Sequence, residues 1–123
     1  MPETIIINIP VQLRQLTGGR DTLRVTKALI ACNGQTPEQC ITLRHLIDVL
    51  DLEAPGLKNR LTDATGIRRF VNIFVDDADA RAKRDEEFQR ETQLDALNAK
   101  ADPLDLNISA ASEVTILPAI AGG

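Results

Sequence analysis

The segment 4–9 constrains the fold most strongly, because it consists almost entirely of β-branched residues. Its isoleucines at 5, 7 and 9 alternate toward one face, which is typical of a buried strand. Pro10 then prevents simple continuation of the ladder, since proline has no N–H to donate. We therefore predict that the chain begins with a buried strand that ends at Pro10.

A second strand is predicted at residues 22–26, where polar and apolar side chains alternate. Residues 17–20 between the two strands are predicted to form a turn, because Gly18 and Gly19 accept positive φ without cost. The two strands then form a hairpin with a wide connection. The next segment, residues 31–39, has no hydrophobic period, and we expect a loop there.

An amphipathic helix is predicted after this loop. Thr42 can cap it, and Pro55 with Gly56 ends it. Four apolar residues then fall at i, i+3, i+4 and i+7 on a single face: Leu43, Leu46, Ile47 and Leu50. His45, the only histidine in the chain, lies off that face, and we expect it to be solvated.

The second half of the chain contains two more predicted strands. Residues 70–75 are strongly apolar and are followed by a turn at 76–77, and residues 113–117 form the last strand. Residues 80–100 are rich in charge, which favours a short exposed helix or a mobile insertion. Residues 118–123 are predicted to be a flexible C-terminal tail.

The predicted order of elements is strand, strand, helix, strand, a possible short strand, and a final strand. One main amphipathic helix against one mixed sheet is an α+β arrangement. The β-grasp (ubiquitin-like) roll fits this order, with a first hairpin, a crossing helix and the last strand beside the first. The length of 123 residues suits a single domain, 1–123.

Composition argues against several classes of function. The chain has a net charge of −4, no Trp, no Tyr and three Phe, which disfavours binding to a phosphate backbone or stacking on bases. No apolar run approaches the roughly 20 residues of a membrane span. Met1 is followed by Pro2, Glu3 and Thr4 rather than by a signal peptide, so we expect a cytoplasmic location with neither nucleic acid nor membrane as partner.

The chain offers few groups for catalysis. Cys32 and Cys40 are expected to be free thiols without a functional role, and with one histidine they cannot complete a metal cluster. No acid–base or metal constellation is recognisable, so we predict neither an enzyme nor a bound metal or cofactor.

The C-terminal Gly122 and Gly123 suggest a different chemistry. Glycine has no Cβ, so a chain ending in this way can enter a narrow cleft and approach a nucleotide closely. A carboxylate becomes an acylating agent once its oxygen has attacked the α-phosphate of ATP. A sulfur or nitrogen nucleophile can then take the acyl group, and this chemistry needs no acid or base from the carrier itself.

The sequence resembles the ubiquitin-like sulfur carriers of the MoaD/ThiS type, and within them the branch of the mycobacterial cysteine-forming pathway. The first residues that carry the resemblance are Ile9, Pro10, Leu13, Arg14, Thr17, Gly18 and Gly19, followed by Thr42 and Leu43. The others are Arg69, Phe70, Val71, Asn72, Ile73, Val75, Asp76, Val114, Thr115, Ile116, Leu117, Pro118, Ala119, Ala121, Gly122 and Gly123. They occur in the family's order and cover most of the chain.

The resemblance implies a β-grasp fold and a functional terminus at Gly123, with Gly122 beside it. In the family, a ubiquitin-activating-type adenylating enzyme (MoeB/ThiF-like) uses ATP to adenylate this glycine, a sulfur donor converts it to a thiocarboxylate, and a sulfur-accepting synthase receives the sulfur. We predict a partner-binding surface near the tail, composed of Leu117, Pro118, Ala119, Ile120, Ala121 and Phe74. A place for Phe74 in the core is the alternative, and the sequence leaves it open.

Several alternatives remain open at the level of sequence. Donation to a cysteine synthase is favoured by residues 116–119 and 17–19, a molybdopterin synthase subunit is second, and a thiamin or specialised-metabolite carrier is third. A ubiquitin-like modifier joined through Gly123 to lysine amines would share the activation chemistry. The segments 28–39 and 82–101 are longer than the family pattern, and we expect both to be loop insertions.

Overall fold

The structure is a computed structural model that describes residues 3–91 and 102–118. The strands are β1 (Thr4–Asn8), β2 (Thr22–Thr26), β3 (Thr62–Asp63), β4 (Gly66–Ile67), β5 (Val71–Val75), β6 (Ala78–Asp79) and β7 (Glu113–Pro118). The α-helices are α1 (Lys27–Gly34), α2 (Leu43–Glu53), α3 (Leu57–Leu61) and α4 (Ala80–Glu91). Short 3₁₀ helices cover Val11–Thr17, Glu38–Cys40 and Pro103–Asp105.

Within the described residues, the main sheet is five-stranded, with the order β2-β1-β7-β5-β6. The pairing of β1 with β2 is antiparallel, whereas β1 and β7 are parallel neighbours. β5 is antiparallel to both β7 and β6, and β3 and β4 form a separate small hairpin. The first strand therefore lies beside the last one in a mixed sheet, which confirms the predicted α+β, β-grasp fold.

The hydrophobic core lies between α2 and one face of this sheet. Ile5 and Ile7 of β1, like Leu43 and Leu46 of α2, have no solvent exposure. A fully buried side chain of this size stabilises the fold by about 1.5–3 kcal/mol relative to an exposed one. The predicted apolar face of α2 is confirmed, because Ile47 and Leu50 are also buried.

The expectation of a loop at residues 31–39 was wrong, because α1 occupies its first part. The hydroxyl of Thr26 accepts a hydrogen bond from the N–H of Leu29 and caps the helix. Ile30 and Ala31 are buried in the core, and Gln35 ends the helix with a positive φ of 53°. The helix is therefore stabilised by packing, which a search for hydrophobic period does not detect.

The buried Lys27 ties α1 to the segment before β7. Its Nζ donates a hydrogen bond to the carbonyl of Ser109 at 2.7 Å. Burial lowers the pKa of this ammonium, while the carboxylates of Asp76 and Glu38 raise it. The predicted insertion at residues 28–39 therefore begins with a helix that is packed against the rest of the fold, and it is not only a surface loop.

The expectation that His45 is solvated was also wrong, because the residue is half-buried. Its Nδ1 accepts a hydrogen bond from the N–H of Thr42 at 3.1 Å, while the Thr42 hydroxyl accepts one from the N–H of His45 at 3.4 Å. This reciprocal pair is a capping box at the start of α2, with His in the place usually taken by Glu or Gln.

The charged segment predicted as a short helix or an insertion forms α4 over its first part, while residues 92–101 lie outside the described residues. The helix is less exposed than predicted. Ala80 and Arg84 are buried, and the Arg84 guanidinium forms a salt bridge with Glu87 at 2.5 Å. Glu87 also accepts a hydrogen bond from the N–H of Asn107, which holds α4 against the segment before β7.

None of the described helices is both long and apolar enough to cross a lipid bilayer.

Candidate functional site

The candidate site is the end of the sheet from which the C-terminal residues leave β7. This strand runs between β1 and β5, with Val114 opposite Val75 at its start and Pro118 opposite Val71 at its end. Val114 and Ile116 point into the core and are buried. The strand pairs with β1 over its first half, with β5 up to Pro118, and packs on one face, which fixes the direction of its last described residues.

The predicted reactive residues themselves, Gly122 and Gly123, lie outside the described residues, as do Ala119, Ile120 and Ala121. Pro118 is described as the last residue of β7. The prediction that these residues form the reactive end and its approach is thus not tested by the geometry.

Leu117 and Phe74 lie on the face of the sheet opposite the core. Leu117 is 47% exposed, and it lies across from Asn72 of β5. Phe74 follows the buried Ile73 and is half-buried, so strand alternation places it on the same open face as Leu117. Phe74 accordingly stays available as the predicted surface residue, and the buried core does not include it.

A polar cluster at the centre of the open face joins β1 to β7. The side-chain amide of Asn8 donates hydrogen bonds to Oε2 of Glu113 and to Oγ1 of Thr115, both at 2.9 Å. Asn8 and Thr115 are also partners in the parallel register. This cluster helps to set the register of β7 and hence the point where the tail leaves. Sequence analysis missed it, because it joins residues more than a hundred positions apart.

Phe70 is the second feature that sequence analysis misplaced. The sequence predicted Phe70 as the first residue of a strand, but β5 begins at Val71. Phe70 lies in the preceding turn and is 61% exposed. The turn is closed by a hydrogen bond from the N–H of Val71 to the carbonyl of Arg68 at 3.0 Å. Because Val71 lies opposite Pro118, Phe70 is an exposed aromatic ring beside the exit of the tail. The rarity of aromatic residues could have drawn attention to Phe70, since the chain has only three Phe and no other aromatic ring except that of His45.

The other end of β7 is held by Asp76 in the predicted turn after β5. Its Oδ1 accepts hydrogen bonds from the N–H and the hydroxyl of Ser112 and from the N–H of Glu113, each at 3.0 Å. Burial raises the pKa of this carboxyl, but these hydrogen bonds and the charge of Lys83 outweigh it and lower the pKa. The carboxylate is thus matched to three donors at the start of β7.

The described part of the chain holds no group of three or more His, Cys, Asp or Glu side chains that could bind a metal ion. Cys32 and Cys40 are free, as predicted, and both are exposed.

Comparison with known proteins decides the family. The sulfur carrier protein CysO of Mycobacterium tuberculosis (strain ATCC 25618 / H37Rv) is 30% identical over 122 residues, which covers 97% of this chain and 98% of that protein. The same values hold for the sulfur carrier protein CysO of Mycobacterium bovis (strain ATCC BAA-935 / AF2122/97). The chain belongs to the CysO family of sulfur carrier proteins. The resemblance to MoaD/ThiS-type carriers is thereby confirmed. No family model matches the chain.

Solved structures agree with this membership of the CysO family. The crystal structure of Mycobacterium tuberculosis CysO matches with a TM-score of 0.63 and 27% identity, over 94% of this chain and 99% of that one. A chain of the BexX/CysO complex from Amycolatopsis orientalis matches with a TM-score of 0.60 and 25% identity, over 97% of this chain and 99% of that one. SAMP1 from Haloferax volcanii, at a TM-score of 0.59 and 16% identity over 98% of this chain and 99% of that one, shares the fold.

Proposed function

We propose that this CysO-family chain is a sulfur carrier that donates sulfur in cysteine biosynthesis from a thiocarboxylate at Gly123. The observation that carries the proposal is similarity over nearly the whole length to proteins named as sulfur carrier protein CysO. The similarity covers 97% of the chain, so it is not confined to one part of the fold. The donor is a single domain, 1–123, in the cytoplasm.

The chemistry proceeds in two steps on a partner enzyme. An oxygen of the Gly123 carboxylate attacks the α-phosphate of ATP, and pyrophosphate leaves. The sulfur of a sulfide donor then attacks the carbonyl carbon of the acyl adenylate, and AMP leaves. The product is a thiocarboxylate whose sulfur is transferred to an acceptor synthase. The carrier supplies no acid or base in this scheme, and its own role is to present the carboxylate.

The anchoring of β7 supports this role. A strand that is paired with β5 up to Pro118, paired with β1 over its first half and buried on one face gives the tail a rigid base, so the partner needs to order only the few residues after Pro118. Ordering fewer residues lowers the entropic cost of docking. Gly122 and Gly123 add no side-chain bulk at the reacting end.

The partner is proposed to be a ubiquitin-activating-type adenylating enzyme of the MoeB/ThiF type. The structure of the Amycolatopsis orientalis relative, a BexX/CysO complex, supports the idea that carriers of this family work in a bound state. On this chain, the exposed Leu117 lies next to the last strand residue, and the half-buried Phe74 lies on the same open face, opposite Thr115. A surface with apolar side chains of this kind is suited to a protein partner.

We do not propose a function as a ubiquitin-like protein modifier. The likeness to SAMP1 from Haloferax volcanii has 16% identity and shows the fold alone. The molybdopterin alternative has no observation in its favour among the relatives.

The test is the intact mass of the protein after incubation with its adenylating enzyme, ATP and a sulfide source. We expect a mass increase equal to the replacement of one oxygen by sulfur, mapped to Gly123 by fragmentation. Omitting ATP is the matched control and should leave the mass unchanged. An unmodified terminus with all components present, or high-mass conjugates that depend on Gly123, would contradict the carrier proposal.

A further inference from the structure

Four arginines lie around the point where the chain leaves the sheet toward its C-terminus. We call Arg60, Arg68, Arg69 and Arg81 the tail-exit arginines. Arg60 belongs to α3, Arg68 and Arg69 precede β5, and Arg81 belongs to α4. They come from three different elements, so only the fold brings them to one place.

Backbone contacts hold part of this group together. Nε of Arg68 donates a hydrogen bond to the carbonyl of Asn59 at 2.7 Å, and Nη2 of Arg81 donates one to the carbonyl of Arg68 at 3.1 Å. Arg60, Arg68 and Asn59 line one open groove. The positive charges are therefore neighbours on one surface.

The position of this group follows from the register of the sheet. Val71, the first residue of β5, lies opposite Pro118, the last residue of β7. Arg68 and Arg69 lie shortly before Val71 in the sequence, separated from it by the exposed Phe70. Nη1 of Arg81 reaches Asn72 at 3.4 Å, one residue further along β5. The tail-exit arginines thus border the exit of the tail.

Their charge is not neutralised within the described part of the chain. None of the four takes part in a salt bridge with another described residue, and Arg60, Arg68 and Arg69 are exposed. Two carboxylates lie close to the group without pairing with a guanidinium: Asp79 accepts a hydrogen bond from the backbone N–H of Arg81 at 2.8 Å, and Asp63 accepts hydrogen bonds from the N–H and the hydroxyl of Thr65. A concentrated positive surface on a chain of net charge −4 is a local departure from the charge of the whole molecule.

We propose that the tail-exit arginines bind an acidic surface of the adenylating enzyme beside the opening that receives the C-terminal tail. Charge complementarity across the rim of an interface steers encounter and sets orientation more than it adds affinity. Attraction between these arginines and the acidic enzyme surface turns the end of β7 toward the opening. The remaining surface of the carrier is acidic overall and is repelled by the same enzyme surface. The inference rests on the proposed carrier function, because it names the partner of that function.

The test compares charge reversals at two exposed positions with a matched reversal elsewhere. Arg60 and Arg69 make no side-chain hydrogen bond with another described residue, so Arg60→Glu and Arg69→Glu reverse the charge without removing a structural contact. Arg24→Glu is the control, because Arg24 is also exposed but lies on β2, at the far edge of the sheet from β5. Thermal unfolding of each variant checks that the fold is intact.

The first readout is binding of each variant to the purified adenylating enzyme without ATP or sulfide, measured over a series of NaCl concentrations. We expect Arg60→Glu and Arg69→Glu each to weaken binding about tenfold at low salt, mainly through the association rate, with the difference shrinking as salt screens the charges. Arg24→Glu should bind almost as the unchanged chain does. Equal weakening by all three variants, or an effect independent of salt, would overturn the proposal.

The second readout is the rate of thiocarboxylation at saturating and at limiting carrier concentration. The arginine variants should raise KM and leave kcat within about twofold, because a rim charge acts on encounter and not on the chemistry. Direct binding of ATP or of an oligonucleotide by the isolated carrier, lost in Arg60→Glu, would assign the group to a different anion and overturn the proposal. Failure of the unchanged chain to become thiocarboxylated while it still binds the enzyme with arginine dependence would count against the carrier function alone.

Discussion

At the scale of single residues, Asp76 shows how one side chain positions a functional strand. Its carboxylate accepts three hydrogen bonds from Ser112 and Glu113 at the start of β7, and its backbone has a φ of 49°. Asp and Asn tolerate this left-handed conformation better than most residues. A residue at the turn after β5 thereby fixes the strand that leads to the tail.

This arrangement predicts the pH dependence of stability. Burial opposes ionisation of Asp76, but the hydrogen bonds outweigh it, so the folded-state pKa lies below the unfolded value. The carboxylate therefore stabilises the fold above the ordinary Asp pKa of about 3.9, and this contribution is lost as the pH falls through the lower, folded-state pKa. Asp76→Asn should show a smaller loss of unfolding free energy between about pH 5 and pH 2 than the unchanged chain. Identical urea-unfolding profiles against pH for both proteins would contradict this expectation.

Gly34 provides a second residue-scale prediction, which concerns packing. A Cβ at this position would lie 2.9 Å from Cδ2 and 3.0 Å from Cγ of His45, whose ring is held by the capping box with Thr42. Gly34→Ala should destabilise the fold by about 1–2 kcal/mol, although alanine is the better helix former. The measurement is urea denaturation. In a His45→Ala background the same change should be neutral or stabilising, and a cost that persists there would place its origin elsewhere.

At the scale of elements, α2 is the helix on which the sheet packs, and its first turn is capped by Thr42. The Thr42 hydroxyl accepts a hydrogen bond from the N–H of His45. Thr42→Ala should lower the free energy of unfolding by about 1 kcal/mol, whereas Thr42→Ser keeps the acceptor and should cost less. Chemical denaturation of the pair tests this, and equal stability of the alanine and serine variants would show that the hydroxyl does not cap the helix.

At the scale of the whole molecule, the fold and the reactive end are expected to be separable. Among the residues that the structure describes, the last one in the buried core is Ile116 of β7, and the predicted chemistry lies beyond Pro118. Adding one residue after Gly123 should therefore leave the thermal midpoint unchanged and abolish thiocarboxylation, because the carboxylate moves away from the α-phosphate. Addition of a residue before Met1 is the matched control. Normal thiocarboxylation of the C-terminally extended chain would disprove the role of Gly123.

The sequence by itself determined the elements whose burial follows a local period. The alternation of Ile5 and Ile7, and the 3.6-residue spacing of Leu43 and Leu46, each place apolar side chains on one face, which is information carried by neighbouring residues. The β-grasp order could be predicted for the same reason, whereas Leu117 was assigned to a partner surface because it leads into the C-terminal tail. The sequence resemblance already indicated the carrier family that the comparisons confirmed.

Only the tertiary structure decided the features that depend on distant contacts. α1 exists because its buried residues and Lys27 meet the core and Ser109, and no local period reports this. The open-face position of Phe74, the Asn8 cluster and the tail-exit arginines all follow from the pairing of β7 between β1 and β5. Strand register joins residues far apart in the chain, so the surroundings of the tail are fixed by long-range pairing that a single sequence does not display.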